Sequence, residues 1–122
     1  MRKIYLVEDD HGIRDVLEIF LSSEDYDVTS FGSVGEFAQR NTDADPDLYL
    51  FDVMLPDGSG IDLCKEIKSD ENNKNTPVII MSAHAHLHKL KNLCEPDDFI
   101  SKPFDLDNIL EKIEEILNQK AS

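Results

Sequence analysis

The stretch Leu48-Tyr49-Leu50-Phe51-Asp52 places a carboxylate directly after four apolar residues. An apolar run of this length without alternation is typical of a β-strand that is covered on both faces. The charge of Asp52 is therefore drawn to the edge of a core, where an ionised carboxylate is costly unless a cation or a metal ion accompanies it. The sequence should then contain a partner for Asp52.

Two further apolar runs, Ile4 to Val7 and Val78 to Met81, also have strand length and lack alternation. Together with Leu48 to Phe51 they predict three central strands of a sheet that is covered by helices on both faces. Two weaker runs, Tyr26 to Ser30 and Phe99 to Ser101, mix polar with apolar residues. These runs predict edge strands, where the cover is incomplete.

Segments with helical spacing of apolar residues separate the strands. A Ser33 N-cap with Glu36 three residues later predicts the start of the second helix, and Pro96 must end the fourth. The apolar stripes are Ile13, Val16, Leu17 and Phe20; Val34, Phe37 and Ala38; Ile61, Cys64 and Ile67; Leu87, Leu90 and Cys94; and Leu106, Ile109, Leu110, Ile113 and Leu117.

Strand and helix thus alternate five times, which favours an α/β fold with a parallel sheet and helices on both faces. With the first, third and fourth strands central, the natural spatial order is 2-1-3-4-5, the flavodoxin-like doubly wound (βα)5 arrangement. We expect one domain over residues 1–122, a size that can bury one substantial core.

The formal net charge of -14 and the lack of a basic stripe argue against nucleic-acid binding by this chain. Behind Met1-Arg2-Lys3 the apolar stretch is too short for a signal sequence or a membrane span, so we expect a cytoplasmic protein without membrane contact. Cys64 and Cys94 share no short metal-binding spacing and fall in predicted helices. They are expected to be buried, reduced thiols.

Acidic residues, a hydroxyl and a lysine follow the predicted strands, and together they could form one site. Glu8 and Asp9 come after the first strand, Asp52 after the third, Ser82 after the fourth and Lys102 after the fifth. Ligands of open parallel sheets bind beyond the carboxyl ends of the strands, where the strand order reverses. Three converging carboxylates would repel one another unless a hard divalent cation joined them, and Mg²⁺ is the leading candidate. With a lysine and a hydroxyl nearby, this set predicts a site for a phosphoryl group beside a nucleophilic carboxylate.

A simpler interpretation is that each acid only caps the helix that follows a strand, as we expect in part for Asp10. That interpretation explains any single acid, but not the coincidence of matching groups at consecutive strand ends.

Four strings stand at these strand ends in order: Glu8-Asp9-Asp10 after Ile4-Tyr5-Leu6-Val7, then Asp52-Val53-Met54-Leu55-Pro56-Asp57-Gly58, Ser82-Ala83 and Lys102-Pro103-Phe104. In these strings the chain resembles the receiver domain of two-component response regulators over essentially its whole length. The resemblance also suggests a stand-alone regulator similar to the chemotaxis type, although a receiver cut from a longer protein would look the same.

The resemblance implies a chemical role for each residue of the set. Asp52 would accept a phosphoryl group from the phosphohistidine of a sensor histidine kinase or a histidine phosphotransfer protein. Asp9 would bind Mg²⁺ (or Mn²⁺) directly and Glu8 largely through water, with the backbone carbonyl of Met54 as a further ligand. Lys102 would pair first with the acceptor carboxylate and then with the phosphoryl oxygens, and its bond to the following proline is usually cis in the family.

The resemblance also implies a switch. Ser82 would bond the phosphoryl group, and Phe99 would follow it into the vacated space, which would change the preference for an output protein that the sequence does not identify. Met54 and His84, two residues after Asp52 and Ser82, occupy positions that tune the loss of the phosphoryl group. The domain would thus catalyse its own phosphorylation and slow dephosphorylation, and we expect no turnover of external substrates.

Some residues depart from the family pattern. Ser82 replaces the commoner threonine, and Phe99 lacks a tyrosine hydroxyl. The segment between Ser82 and Lys102 is shorter than usual, which predicts a short or displaced fourth helix and therefore a change in the surface that contacts the output protein. His84 and His88 would share a helix face at a spacing that can bind Zn²⁺, with His86 between them. The sequence favours a solvated helix start instead, because no thiolate or carboxylate is placed with these histidines.

Two other functions remain open at this point. A phosphatase of the haloacid-dehalogenase type would also use Asp52 as a covalent nucleophile, but such enzymes carry a second aspartate where this chain has Met54. The other is a protein-binding module that keeps the fold without being phosphorylated.

Overall fold

The computed structural model describes residues 2–42, 45–83 and 94–121, with backbone alone for 119–121. Its strands are β1 (Arg2–Val7), β2 (Tyr26–Phe31), β3 (Leu48–Asp52), β4 (Met54–Leu55), β5 (Gly58–Ser59), β6 (Val78–Ser82) and β7 (Asp98–Ser101). Its helices are α1 (His11–Ser23), α2 (Val34–Ala38), α3 (Gly60–Ser69) and α4 (Leu106–Ala121).

Five of the strands form one parallel sheet in the order β2-β1-β3-β6-β7. This arrangement confirms the predicted flavodoxin-like order, with the three apolar runs in the centre and the two mixed runs at the edges. The order reverses between β1 and β3, so the carboxyl ends of these two strands flank the point where such folds bind ligands.

Each central strand contains an unbroken apolar run because each face of the sheet contributes to a separate core. Tyr5, Val7, Tyr49, Phe51, Val78 and Ile80 pack on the face that is covered by α2 and α3. Ile4, Leu6, Leu48, Leu50, Ile79 and Met81 pack on the opposite face, under α1 and α4. Side chains of a strand alternate between the faces, so two buried faces require an unbroken apolar run.

Short polar side chains cap the helices that begin near the carboxyl ends of the strands. Asp10 Oδ1 accepts from the backbone N–H of Ile13 at 3.0 Å, and Ser33 Oγ accepts from that of Glu36 at 3.1 Å. Ser59 does the same for α3. The capping role expected for Asp10 and the predicted start of α2 are therefore confirmed.

The apolar stripe of α1 differs from the prediction. Leu17 and Leu21 are fully buried, whereas Val16, which the spacing assigned to the core, is 50% exposed. Successive helix positions are about 100° apart, so a stripe centred between Leu17 and Leu21 leaves Val16 at its margin. The spacing identified the helix correctly but misplaced the centre of its buried face.

Two features lie outside the predicted elements. The short antiparallel pair β4–β5 follows Asp52 and was not expected, because strands of two residues have no periodicity to detect. The helix predicted over Leu87, Leu90 and Cys94 falls largely outside the described residues, although Cys94 itself has helical backbone conformation. Among the described residues, no helix combines the length and the apolarity that crossing a membrane would require.

Candidate functional site

The predicted residues meet at the carboxyl edge of the sheet. Glu8 and Asp9 follow β1, and Asp52 is the last residue of β3. Carboxylate oxygens of these three residues all lie within 4.8 Å of one another. The side chains of Glu8 and Asp52 are buried, whereas Asp9 is exposed. The result is a cluster of acids that is closed on the side of the core and open toward solvent at Asp9.

Lys102 reaches this cluster from the end of β7. Its Nζ donates a short hydrogen bond to Glu8 Oε1 and lies 3.2 Å from Asp52 Oδ2. The lysine is therefore the cation that Asp52 required, and it is shared between two buried acids. One lysine leaves the three carboxylates with two net negative charges if all are ionised, so the cluster can still attract a further cation.

Burial and crowding change the proton affinity of this set. Burial, followed by the hydrogen bond with Asp52, raises the pKa of Glu8 from 4.5 to about 7, against the opposing effect of Lys102. For Lys102, burial acts to lower the pKa, but the hydrogen bond with Glu8 and the charges of Glu8 and Asp52 outweigh it, and the net shift is upward. Near neutral pH the site thus holds a charged lysine and a glutamate that binds a proton readily.

The loop after Asp52 packs tightly against the strand end. Gly60 is the first residue of α3, and a β-carbon there would lie 2.2 Å from the Asp52 carbonyl oxygen. The N–H of Gly60 also donates to the Val53 carbonyl oxygen at 3.1 Å. Met54 lies in β4, two residues after Asp52, and is 64% exposed. A glycine is required at Gly60 because the backbone of Asp52 occupies the space of a side chain.

Asp57 attaches this loop to α2 and had no role in the sequence prediction. Its two carboxylate oxygens accept from the backbone N–H groups of Val34 and Gly35, each at 2.8 Å. These hydrogen bonds lower the pKa of Asp57. The only sequence signal is an acid in a turn after Pro56, and its partners, more than twenty residues earlier, cannot be read from local pattern.

Arg14 is a second residue that sequence reasoning missed. Its Nη1 donates to the backbone carbonyl of Glu8 at 2.9 Å, so α1 supports the chain directly before Asp9. A helical arginine on the half-buried side of α1 gives no local signal for such a contact, because the contact depends on how α1 packs beside β1.

The two predicted switch residues lie on neighbouring strands. Ser82 is buried at the end of β6, and its carbonyl accepts from the backbone N–H of Lys102 at 2.9 Å. Phe99 is half-buried in β7 and packs against the apolar cluster under α3. The Lys102–Pro103 peptide bond is cis, as the resemblance implied. His84, His86 and His88 lie outside the described residues.

A family model described as the response regulator receiver domain matches residues 4–114. The transcriptional regulatory protein CssR of Bacillus subtilis is 36% identical over 116 residues, which cover 93% of this chain and 50% of CssR. The response regulator ArlR of Staphylococcus saprophyticus is 37% identical over 125 residues, with 98% and 54% covered. The chain spans about half the length of these relatives.

Solved structures give the same result. A CheY-like response regulator receiver domain of Methanospirillum hungatei has a TM-score of 0.89 at 28% identity and covers 99% of this chain, with 97% of its own chain covered. The response regulator TrrA of Thermotoga maritima, solved in complex with Mg²⁺ and BeF, has a TM-score of 0.82 at 25% identity, with 94% and 98% covered.

Proposed function

Because this chain belongs to the family of response regulator receiver domains, we propose that it is a phosphorylation-controlled switch whose phospho-acceptor is Asp52. The partners that would supply the phosphoryl group are a sensor histidine kinase or a histidine phosphotransfer protein. The observation that carries the proposal is the pairing of a buried, strand-end Asp52 with Lys102 at 3.2 Å, beside two further carboxylates.

The donor set fits a hard divalent cation. Three carboxylates offer oxygen ligands within 4.8 Å of one another, two of them are buried, and a single lysine leaves their charge incompletely balanced. Glu8, Asp9, Asp52 and the backbone carbonyl of Met54 would hold Mg²⁺, or Mn²⁺. When bound, such an ion would supply positive charge beside the oxygens of the incoming phosphoryl group.

The chain's own residues would carry the transfer. A carboxylate oxygen of Asp52 attacks the phosphorus, an oxygen–phosphorus bond forms, and the phosphorus–nitrogen bond to the donor histidine breaks. Lys102 Nζ, already shared between Glu8 and Asp52, can move onto a phosphoryl oxygen without leaving the acid cluster. The Ser82 hydroxyl donates a hydrogen bond to another phosphoryl oxygen.

Loss of the phosphoryl group would be slow and would depend on access of water. Met54 is exposed and stands two residues after Asp52, and its side chain is proposed to hinder an approaching water molecule. His84 stands two residues after Ser82 and is proposed to act with Met54 in setting this rate. A His84→Ala variant that dephosphorylates at an unchanged rate would remove that assignment.

Output would follow from Ser82 and Phe99. Ser82 moves toward the phosphoryl group, and Phe99, which is only half-buried, follows into the space beside it. This movement alters the surface around β7 and the chain before it, and with it the affinity for an output protein. CssR is named as a transcriptional regulatory protein, but the output of the present chain is proposed only as protein contact.

The proposal is tested by incubating the protein with acetyl phosphate and Mg²⁺ and measuring its intact mass. We expect one added phosphoryl group on the wild type and none on Asp52→Asn. Asp27→Asn, which removes an exposed carboxylate on the edge strand β2, is the matched control and should be modified like the wild type. An unmodified wild type, also with its cognate kinase, would contradict the switch.

The same experiment separates the alternatives. An unmodified protein that still binds its partner would be a phosphorylation-independent binding module of the same fold. Steady hydrolysis of a general phosphate ester that depends on Asp52 would instead indicate an enzyme with external substrates, although Met54 stands where such enzymes carry their second aspartate.

A further inference from the structure

The two cysteines of the chain meet in the core, although 30 residues separate them. Cys64 lies in α3, and Cys94 lies before β7. The Cys64 thiol donates to the backbone carbonyl of Cys94, with 3.5 Å between sulfur and oxygen. Both thiols are free and buried, and both belong to the apolar cluster under α3. The fold therefore holds the Cys64 sulfur against the backbone of Cys94, away from bulk water.

The two thiols differ in character. A hydrogen bond between the two thiol side chains lowers the pKa of Cys94; burial opposes this shift, and the nearby charges of Lys65 and Lys68 support it. The same hydrogen bond, together with burial, raises the pKa of Cys64. Cys94 also retains 8% exposure, whereas Cys64 has none. Cys94 is accordingly the thiol that loses its proton more readily and that retains some exposure, whereas Cys64 is its fully buried neighbour.

We propose that Cys64 and Cys94 form a dithiol that closes to an intramolecular disulfide when it reacts with hydrogen peroxide. The Cys94 thiolate attacks the peroxide, the oxygen–oxygen bond breaks, and a sulfenic acid forms on Cys94 with release of one water after protonation. Cys64 sulfur then attacks Cys94 sulfur, the sulfur–oxygen bond breaks, and the leaving hydroxide takes the Cys64 proton as a second water. Two electrons pass from the two thiols to the peroxide.

The disulfide would connect α3 with the chain that leads into β7. Hydrogen bonds already attach this part of the chain to α3 and β6. Asp97 Oδ2 accepts from Lys68 Nζ and from the backbone N–H of Val78, each at 2.8 Å. Oxidation would convert that non-covalent attachment into a covalent one. The disulfide would then restrain the carboxyl end of the stretch between Ser82 and Asp98. This restraint would respond to oxidation and would be independent of phosphorylation at Asp52.

The test compares the folded protein with the same protein in urea during exposure to hydrogen peroxide. After quenching, the chain is denatured, free thiols are alkylated, and the intact mass is measured. We expect the folded protein to lose both alkylatable thiols as a monomer that lacks two hydrogen atoms. The folded state should do so at least about tenfold faster than the urea-unfolded chain, because the fold holds the two cysteines in contact.

Single variants assign the roles. Cys64→Ala should accumulate a sulfenic acid on Cys94 that dimedone traps, and Cys94→Ala should leave Cys64 alkylatable at the same peroxide dose. Retention of both thiols in the folded wild type, a disulfide that forms only in urea, or formation of disulfide-linked dimers alone would overturn the proposal. The comparison of folded and unfolded wild type decides the matter even if a variant does not fold.

Discussion

Glu8 is fully buried at the carboxyl end of β1, where it contacts both Lys102 and Asp52. The ion pair alone would favour an ionised glutamate, yet burial and the neighbouring acid raise its pKa to about 7. Desolvation therefore outweighs attraction at this position, as is common when charges are buried with imperfect compensation. The raised pKa of Glu8 thus reflects the incomplete balance of charge in the acid cluster.

This shift predicts a pH dependence of stability in the presence of a chelator. The pKa of Glu8 is about 7 in the folded protein and near 4.5 in the unfolded chain, so the folded protein binds this proton more tightly. The contribution of Glu8 to the free energy of unfolding is therefore lost as the pH rises from about 4.5 to about 7. Glu8→Gln imitates the protonated acid, and its stability should lie within about 1 kcal/mol of the wild type at pH 5. At pH 8 the variant should be more stable by up to about 3 kcal/mol. Urea unfolding at both pH values measures the difference.

Other groups titrate in both proteins, so the difference between wild type and Glu8→Gln isolates Glu8. Asp57, for example, keeps its lowered pKa in both. Parallel stability curves from pH 5 to pH 8 would show that Glu8 is ionised in the folded protein.

At the scale of elements, α1 shows how a helix is held by a few positions. Leu17 is fully buried between the sheet and α4, whereas Val16 is half exposed one residue earlier. Leu17→Ala should therefore cost about 2–5 kcal/mol in the free energy of unfolding. Val16→Ala should change it by less than about 0.5 kcal/mol, because little packing is lost at a surface position. Chemical denaturation of both variants checks this, and equal losses would mean that the stripe is centred on Val16.

The turn between β3 and α3 is the second element that controls the site. At Gly60 a β-carbon would lie 2.2 Å from the Asp52 carbonyl oxygen, so Gly60→Ala must displace the end of β3, which carries the proposed phospho-acceptor Asp52. We expect a loss of about 1–3 kcal/mol in stability and a slower reaction with acetyl phosphate.

Gly12→Ala is the matched control for Gly60→Ala. Gly12 is exposed in α1, and its nearest neighbour to an added β-carbon is Asp10 Oδ1 at 3.4 Å. Alanine there should stabilise the helix by about 0.5–1 kcal/mol and leave phosphorylation unchanged. Thermal unfolding and the mass assay would be run on both variants, and a Gly60→Ala protein with wild-type behaviour in both would contradict the close approach.

At the scale of the whole molecule, the acid cluster joins β1 and β3, and its Lys102 comes from the end of β7. A divalent cation that binds there should stabilise the folded state as a unit, by about 2.7 kcal/mol when its concentration is 100 times Kd. We expect Mg²⁺ to raise the Tm of the wild type by several degrees. Asp9→Asn removes an exposed ligand with little effect on packing, and it should reduce this rise strongly.

Differential scanning calorimetry at constant ionic strength measures the effect, with sodium chloride in place of magnesium chloride as the reference. Asp27→Asn should respond to Mg²⁺ like the wild type. An equal rise in Tm for Asp9→Asn would indicate that Mg²⁺ binds elsewhere on this acidic protein.

The sequence by itself determined the fold and the five residues around which the candidate site is built. An unbroken apolar run such as Leu48 to Phe51 predicts a strand that is buried on both faces. Such a strand must lie in the centre of the sheet, so the run also predicts the position of the strand. Glu8, Asp9, Asp52, Ser82 and Lys102 end up at one edge because parallel strands all finish on the same side of a sheet. These features depend on local pattern and on a general rule of topology, both of which are legible in one chain.

Only the tertiary structure decided which distant groups touch. The contacts of Asp57 with Val34 and Gly35, of Arg14 with Glu8, and of Cys64 with Cys94 join segments whose separation carries no periodic signal. The exposure of Val16 and the protonation of Glu8 likewise depend on the exact packing of neighbours. Pattern reports which face of an element is apolar, whereas contact and proton affinity depend on distances of a few ångströms, and those exist only once the elements have packed.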